Sequence, residues 1–122
     1  MAARTNSNTP QQALTLLNDP AFVEAARVFA ARLLGEKAQD DNVRLKAAFT
    51  LAMNREPKEK EVAALTAFLA EQRKTYESAP EDAAKLLAIG LAPEANLDPA
   101  EHAAWTQVAR VLLNAQETIT RY

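Results

Sequence analysis

The punctuation of this chain constrains its fold more than any other feature. It has only two glycines and six prolines. Pro10, Pro20, Pro57, Pro80 and Pro99 each open a stretch with helical apolar spacing. That is the first-turn position, where proline's missing N–H costs nothing. Gly35 and Gly90 each follow such a stretch, where a left-handed residue would end the last turn. No segment alternates with period two over a strand's length. The reading is all-α: a single compact bundle of about six helices joined by short loops, with residues 1–122 as one domain and 1–8 as a polar N-terminal segment.

The first predicted helix runs from about Pro10 to Leu17. Thr9 is its N-cap, accepting the N–H of Gln12, and Gln12 is the capping-box partner. Leu17-Asn18-Asp19-Pro20 is a tight corner, with Asp19 capping the next helix through an N–H two or three residues on. That helix should bury Phe22, Ala26, Phe29 and Leu33 and stop at Gly35. The third begins near Asp41, buries Leu45, Ala48, Phe49 and Ala52, and ends at Asn54 as a left-handed cap. The fourth spans about Pro57 to Ser78, with Val62, Leu65, Phe68, Leu69 and Tyr76 inward. The fifth starts at Pro80, packs through Ala83, Leu86 and Leu87, and ends at Gly90. Asp98-Pro99-Ala100-Glu101 opens the sixth, which turns Ala104, Val108, Val111, Leu112, Ala115 and Ile119 inward. Alanine makes up roughly a fifth of the chain, well above ordinary usage, as close-packed helices require.

Composition excludes several functions. A net charge of −2, with acids and bases interspersed, gives no basic stripe for nucleic acid. No apolar run approaches the roughly 20 residues of a membrane span. The absence of cysteine removes disulfides, thiolate chemistry, zinc–cysteine sites and covalent haem attachment. No glycine-rich phosphate loop is present. A serine triad would need Ser7 or Ser78 beside His102, and neither serine stands in a nucleophile elbow. The expectation is no catalytic residue, no metal ligand set and no cofactor.

Three features are candidate sites. The only histidine, His102, has Asp98 and Glu101 within one turn. A zinc site wants three or four ligands, several of them His or Cys, so a surface histidine beside an acidic helix start is the preferred reading. Trp105, beside Val108, Ala109 and Leu112 at helical spacing, belongs in the core rather than on a sugar platform. The polar run Thr5, Asn6, Asn8, Thr9, Gln11 and Gln12 offers amide and hydroxyl groups to a sugar or to another domain. The same residue types are favoured before a helix for local capping reasons, and capping is the preferred reading.

The stretches Thr5 to Leu14, Leu16 to Arg27, Arg55-Glu56-Pro57 with Glu61, Leu87 to Gly90, Leu97 to Glu101, Ala104 to Asn114 and Ile119 to Arg121 resemble the closing region of the planctomycete-type domain of unknown function 1553. Asn54 stands where that pattern leads one to expect glycine. The resemblance implies the C-terminal part of a larger domain, in exported bacterial proteins that also carry a cytochrome c-like domain upstream. It therefore implies an extracytoplasmic location and an association with polysaccharide use or electron transfer. It implies no reaction. The expectation is a non-catalytic helical structural or interaction domain capping a larger exported protein, with the upstream domains as partners. The alternatives are a fragment of a polysaccharide-related enzyme whose active site lies mostly upstream, and a free-standing helical binding module.

Overall fold

The computed structural model describes residues 19–35, 40–90 and 97–121. These form α1 (Pro20–Gly35), α2 (Asp41–Met53), α3 (Glu59–Ser78), α4 (Pro80–Leu87) and α5 (Pro99–Arg121). Among the described residues there is no strand. The helix expected over 10–17, with its Thr9 cap, lies outside the described residues.

Helix α5 is the axis of the bundle and packs against all four other helices, most extensively against α1. The main core joins Ala26, Ala30 and Leu33 of α1 to Leu45, Ala48 and Phe49 of α2. Leu65 and Leu69 of α3 complete it, around Ala104, Trp105, Val108, Ala109 and Leu112 of α5. Alanines on α1 and α5 let the two backbones approach, and the Trp105 ring fills the space among the other helices. A smaller cluster joins Val23, Tyr76, Ala83, Leu86 and Ala103.

The helix ends show the local chemistry. Asp19 Oδ1 accepts the Ala21 N–H at 2.8 Å, and Asp98 Oδ2 accepts the Glu101 N–H at 3.0 Å. Asp40, one residue before the expected start, caps α2 by accepting from Val43 N–H at 2.8 Å. Each carboxylate satisfies a donor that the first turn leaves open and sits at the positive end of the helix dipole. Asn54 ends α2 in the left-handed region, with φ 61° and ψ 32°. Replacing Asp19 by alanine is expected to cost about 1 kcal/mol, the usual value of an N-cap. Urea unfolding followed by circular dichroism checks it, and an unchanged midpoint would show that capping does not hold this corner.

Several expectations need correcting. Gly35 is the last residue of α1 rather than a left-handed cap; only Gly90 among the glycines has a positive φ, +93°. Helix α3 starts at Glu59 with Lys58 as its N-cap, so Pro57 precedes the helix. Helix α4 ends at Leu87 rather than Gly90. On α1 the buried line is Val23, Ala26, Ala30 and Leu33, with Phe22 and Phe29 only half-buried. The buried face thus departs by one residue at two of the four expected positions, because α1 is so apolar that several stripes fit it. Val111 is exposed rather than inward.

Candidate functional site

The most elaborate polar arrangement among the described residues centres on Arg73, in the C-terminal third of α3. Its guanidinium donates to both oxygens of Asp41, Nη1 at 2.6 Å and Nη2 at 2.9 Å. It also donates to both oxygens of Glu101, Nε to Oε2 at 2.9 Å and Nη2 to Oε1. Asp41 lies in the first turn of α2 and Glu101 in the first turn of α5. One planar cation therefore clamps three helices, and both carboxylates also face favourable dipoles. Trp105 Nε1–H donates to Glu101 Oε1 at 3.1 Å. The Arg44 guanidinium lies over the Trp105 ring at 5.6 Å, while its Nε donates to the Leu33 carbonyl at 3.1 Å.

The clamp is a poor acid–base centre. Hydrogen bonds from Arg73 hold the Asp41 carboxyl below the usual carboxylate range, outweighing the opposing effect of burial. A general acid at neutral pH needs a carboxyl pushed up, not down. The same carboxylates raise the Arg73 pKa further above its already high value. Each partner stabilises the charged form of the other, which is the behaviour of a structural ion cluster.

His102 does not lie on the surface. It is 2% exposed, and its Nε2–H donates to the Arg27 carbonyl of α1 at 3.0 Å. The helical arc that buries Ala103, Trp105 and Thr106 takes His102 with it, in spite of the acidic helix start beside it. The His102 carbonyl accepts from Thr106 Oγ1 at 2.7 Å. Nearby, Gln107 Nε2 donates to the Tyr76 hydroxyl at 2.7 Å, and Arg110 Nη1 donates to Gln107 Oε1 at 3.2 Å. Trp105 is fully buried, which removes it as a sugar platform. Among the described residues, no three His, Asp or Glu side chains are grouped so as to hold a metal ion. No described helix is long and apolar enough to cross a membrane. Thr5, Asn6, Asn8, Thr9, Gln11 and Gln12 lie outside the described residues.

A second ion pair explains the Arg55-Glu56-Pro57 segment. Arg55 Nη1 and Nη2 donate to the two oxygens of Glu61 at 3.0 and 2.8 Å. Glu61 Oε1 also accepts the Lys58 N–H at 2.7 Å, the N3 half of a capping box. The Arg55 guanidinium lies over the Phe49 ring at 4.8 Å. Bonds from Arg55 first, then from the Lys58 backbone, pull the Glu61 pKa down to about 2. A depressed folded-state value stabilises the fold above the unfolded value. The contribution is therefore complete above the ordinary 4.5 and is lost as pH falls from there toward about 2. Carbon-detected titration should find Glu61 still ionised at pH 3. Glu61→Gln should flatten the acid loss of stability in that window, and a Glu61 midpoint near 4.5 would show that the pair does not persist in solution.

Two adjoining open depressions flank α2, one of about 630 Å³ against the Glu56-Pro57 segment and one of about 690 Å³ against α3. Lys46 and Pro57 line both. The lining acids Glu56 and Glu59 are exposed, so neither has the water-excluded setting that tunes a catalytic carboxyl.

No curated protein and no solved structure matches the chain. A family model does match, over residues 1–69, which takes in the polar run, α1, α2 and the first half of α3. The resembling stretches from Leu87 onward lie beyond the matched part. With more than half its length matched, the chain belongs to the PSD1 family, proteins of unknown function (DUF1553).

Proposed function

We propose that this chain is a non-catalytic helical structural and interaction domain, packing as a cap on the remainder of a larger exported bacterial protein. The observation that carries the reading is the use made of Arg73. The described side chains best equipped for chemistry, Arg73, Asp41, Glu101 and His102, are spent on joining helices to one another. A chain that commits its ionic groups in this way has its scaffold to offer a partner rather than a reactive centre. The polar run Thr5, Asn6, Asn8, Thr9, Gln11 and Gln12 supplies the contact surface, and the partner is the upstream part of the same protein. The resemblance of the chain to domains of exported proteins supports an extracytoplasmic location. The net charge of −2 argues against nucleic acid as the partner.

The test is titration calorimetry of the purified chain against the separately produced upstream domains. A saturable heat that is lost when Asn6, Asn8, Gln11 and Gln12 are replaced together by alanine supports the reading. Absence of binding overturns it. Release of reducing sugar from polysaccharide by the chain alone would put the enzyme reading in its place.

A further inference from the structure

The outer face of α3 is left uncovered. Glu59, Lys60, Ala63, Ala67, Ala70 and Lys74 are all exposed. They recur at helical spacing and form one strip, with the exposed Glu71 on the same flank as Lys60. From Glu59 to Lys74 the strip is about 22 Å long. The depression of about 690 Å³ runs along its α2 edge, lined there by Val62, Thr66 and Ala70, so the face is hollow on one side. Its middle is uncharged and both its ends are charged. Each end carries one acid and one base, Glu59 with Lys60 and Glu71 with Lys74. Among the described residues, none of these four enters the ion pairs of the chain, which join Arg55 to Glu61 and Arg73 to Asp41 and Glu101.

We propose that this face binds the same face of a second copy of the chain, the two α3 helices lying antiparallel about a two-fold axis between Thr66 and Ala67. The order of the charges chooses the partner. An antiparallel helix that opposes every charge must carry, from its own N-terminus, an acid against Lys74, a base against Glu71, an acid against Lys60 and a base against Glu59. Acid, base, acid, base is the order that α3 itself presents. The axis sets Glu59 of each copy level with Lys74 of the other, and Ala63 level with Ala70. Lys60 falls two positions from the level of Glu71, about 3 Å along the helix, which its long side chain spans. The symmetry repeats each contact and closes the assembly at two copies. A parallel pair would set every charge beside its own copy, and like charges across an interface repel. A partner of one charge sign would be repelled at both ends, since each shows both signs. Alanine at 63, 67 and 70 keeps the two helix axes close. One helix pair of this length covers less than the roughly 800 Å² per partner of a standard interface, so the dimer is weak and sensitive to salt. The pairing stands whether or not the chain caps an upstream domain.

Sedimentation equilibrium of the whole chain, from about 10 µM to about 1 mM, reads the pairing directly. The average mass should climb from 13.3 kDa toward twice that value. Glu59→Lys sets bases against Lys74 twice over, and Lys74→Glu sets acids against Glu59. Each should weaken association about tenfold or more. The two together make one end of the strip wholly basic and the other wholly acidic, which antiparallel pairing still matches, so the double variant should return to within about threefold of the parent. Both positions are exposed, and circular dichroism should show all variants folded alike. A monomer at every concentration overturns the proposal, as does a dimer that neither reversal weakens or that the double variant fails to restore. The absence of cysteine allows an independent readout by mild oxidation. Ala67→Cys lies beside the axis, within the roughly 7 Å between Cα atoms that a disulfide needs. It should form a reductant-sensitive covalent dimer faster than Ala84→Cys, which is exposed on α4, and equal rates overturn the proposal.

Discussion

Replacing Trp105 by alanine is expected to destabilise the fold by about 3–5 kcal/mol, as for other fully buried large aromatics. The ring has no exposed surface and belongs to the core cluster that residues of α1, α2 and α3 share with α5. Its loss opens a cavity that α1, α2 and α3 cannot all close at once, since each is pinned elsewhere. It also takes away the Nε1–H bond to Glu101, one of the contacts that orient the Arg73 clamp. Set against a total stability of about 5–15 kcal/mol for a domain of this class, that is a loss of about a fifth or more. Trp105 is the only tryptophan, so the variant must be followed by circular dichroism in urea rather than by fluorescence. Trp105→Phe keeps most of the volume and should cost markedly less. If the alanine variant unfolds within about 1 kcal/mol of the parent, a value typical of surface changes, the ring is not the keystone of the core.

Gly90→Ala is expected to cost about 2–5 kcal/mol, and Gly35→Ala to cost nothing. At Gly90 two penalties add. A φ of +93° lies where side chains are rarely tolerated, worth about 1–2 kcal/mol. A Cβ there would also stand 2.6 Å from Glu24 Cβ. That atom is fixed to the α1 backbone and cannot swing aside, so α1 itself must shift, an overpacking penalty of about 1–3 kcal/mol. At Gly35 an added Cβ meets nothing within 4 Å, and a helical glycine gains about 0.5–1 kcal/mol on becoming alanine. Parallel thermal melts of the two variants separate these effects. Equal shifts would mean that neither the backbone nor the approach to Glu24 constrains Gly90.

Most of the fold was legible because its signals are local. Proline at a first turn, aspartate before it and asparagine after the last turn are each recognised by a helix end from neighbours within four residues. Thus the caps at Asp19 and Asp98 and the left-handed Asn54 agree with expectation. Burial of Trp105 was legible for the same reason, as its apolar neighbours recur at helical spacing. The Arg73 clamp was not. Its partners are 32 and 28 residues away, and each looks like an ordinary acid in the first turn of a helix. Only the packing of α2, α3 and α5 brings them to one guanidinium. His102 failed similarly, because its burial depends on which arc of α5 meets α1. The glycines show the limit of punctuation: two residues of one type after apolar runs, of which only Gly90 adopts the left-handed backbone.

The central position of α5 has a consequence for the order of assembly. Chains emerge from the ribosome at roughly 5–20 residues per second, so α1 is made several seconds before the helix it packs against most. Single helices form and dissolve within about a microsecond. During that interval α1 to α4 are fluctuating segments with their apolar faces open, able to associate loosely but not to lock together. Locking of these four helices then waits for α5, which packs against all of them. A chain released before Leu112 would lack much of the surface on which the earlier helices condense, and chaperones rather than partial folding would have to keep it from aggregating.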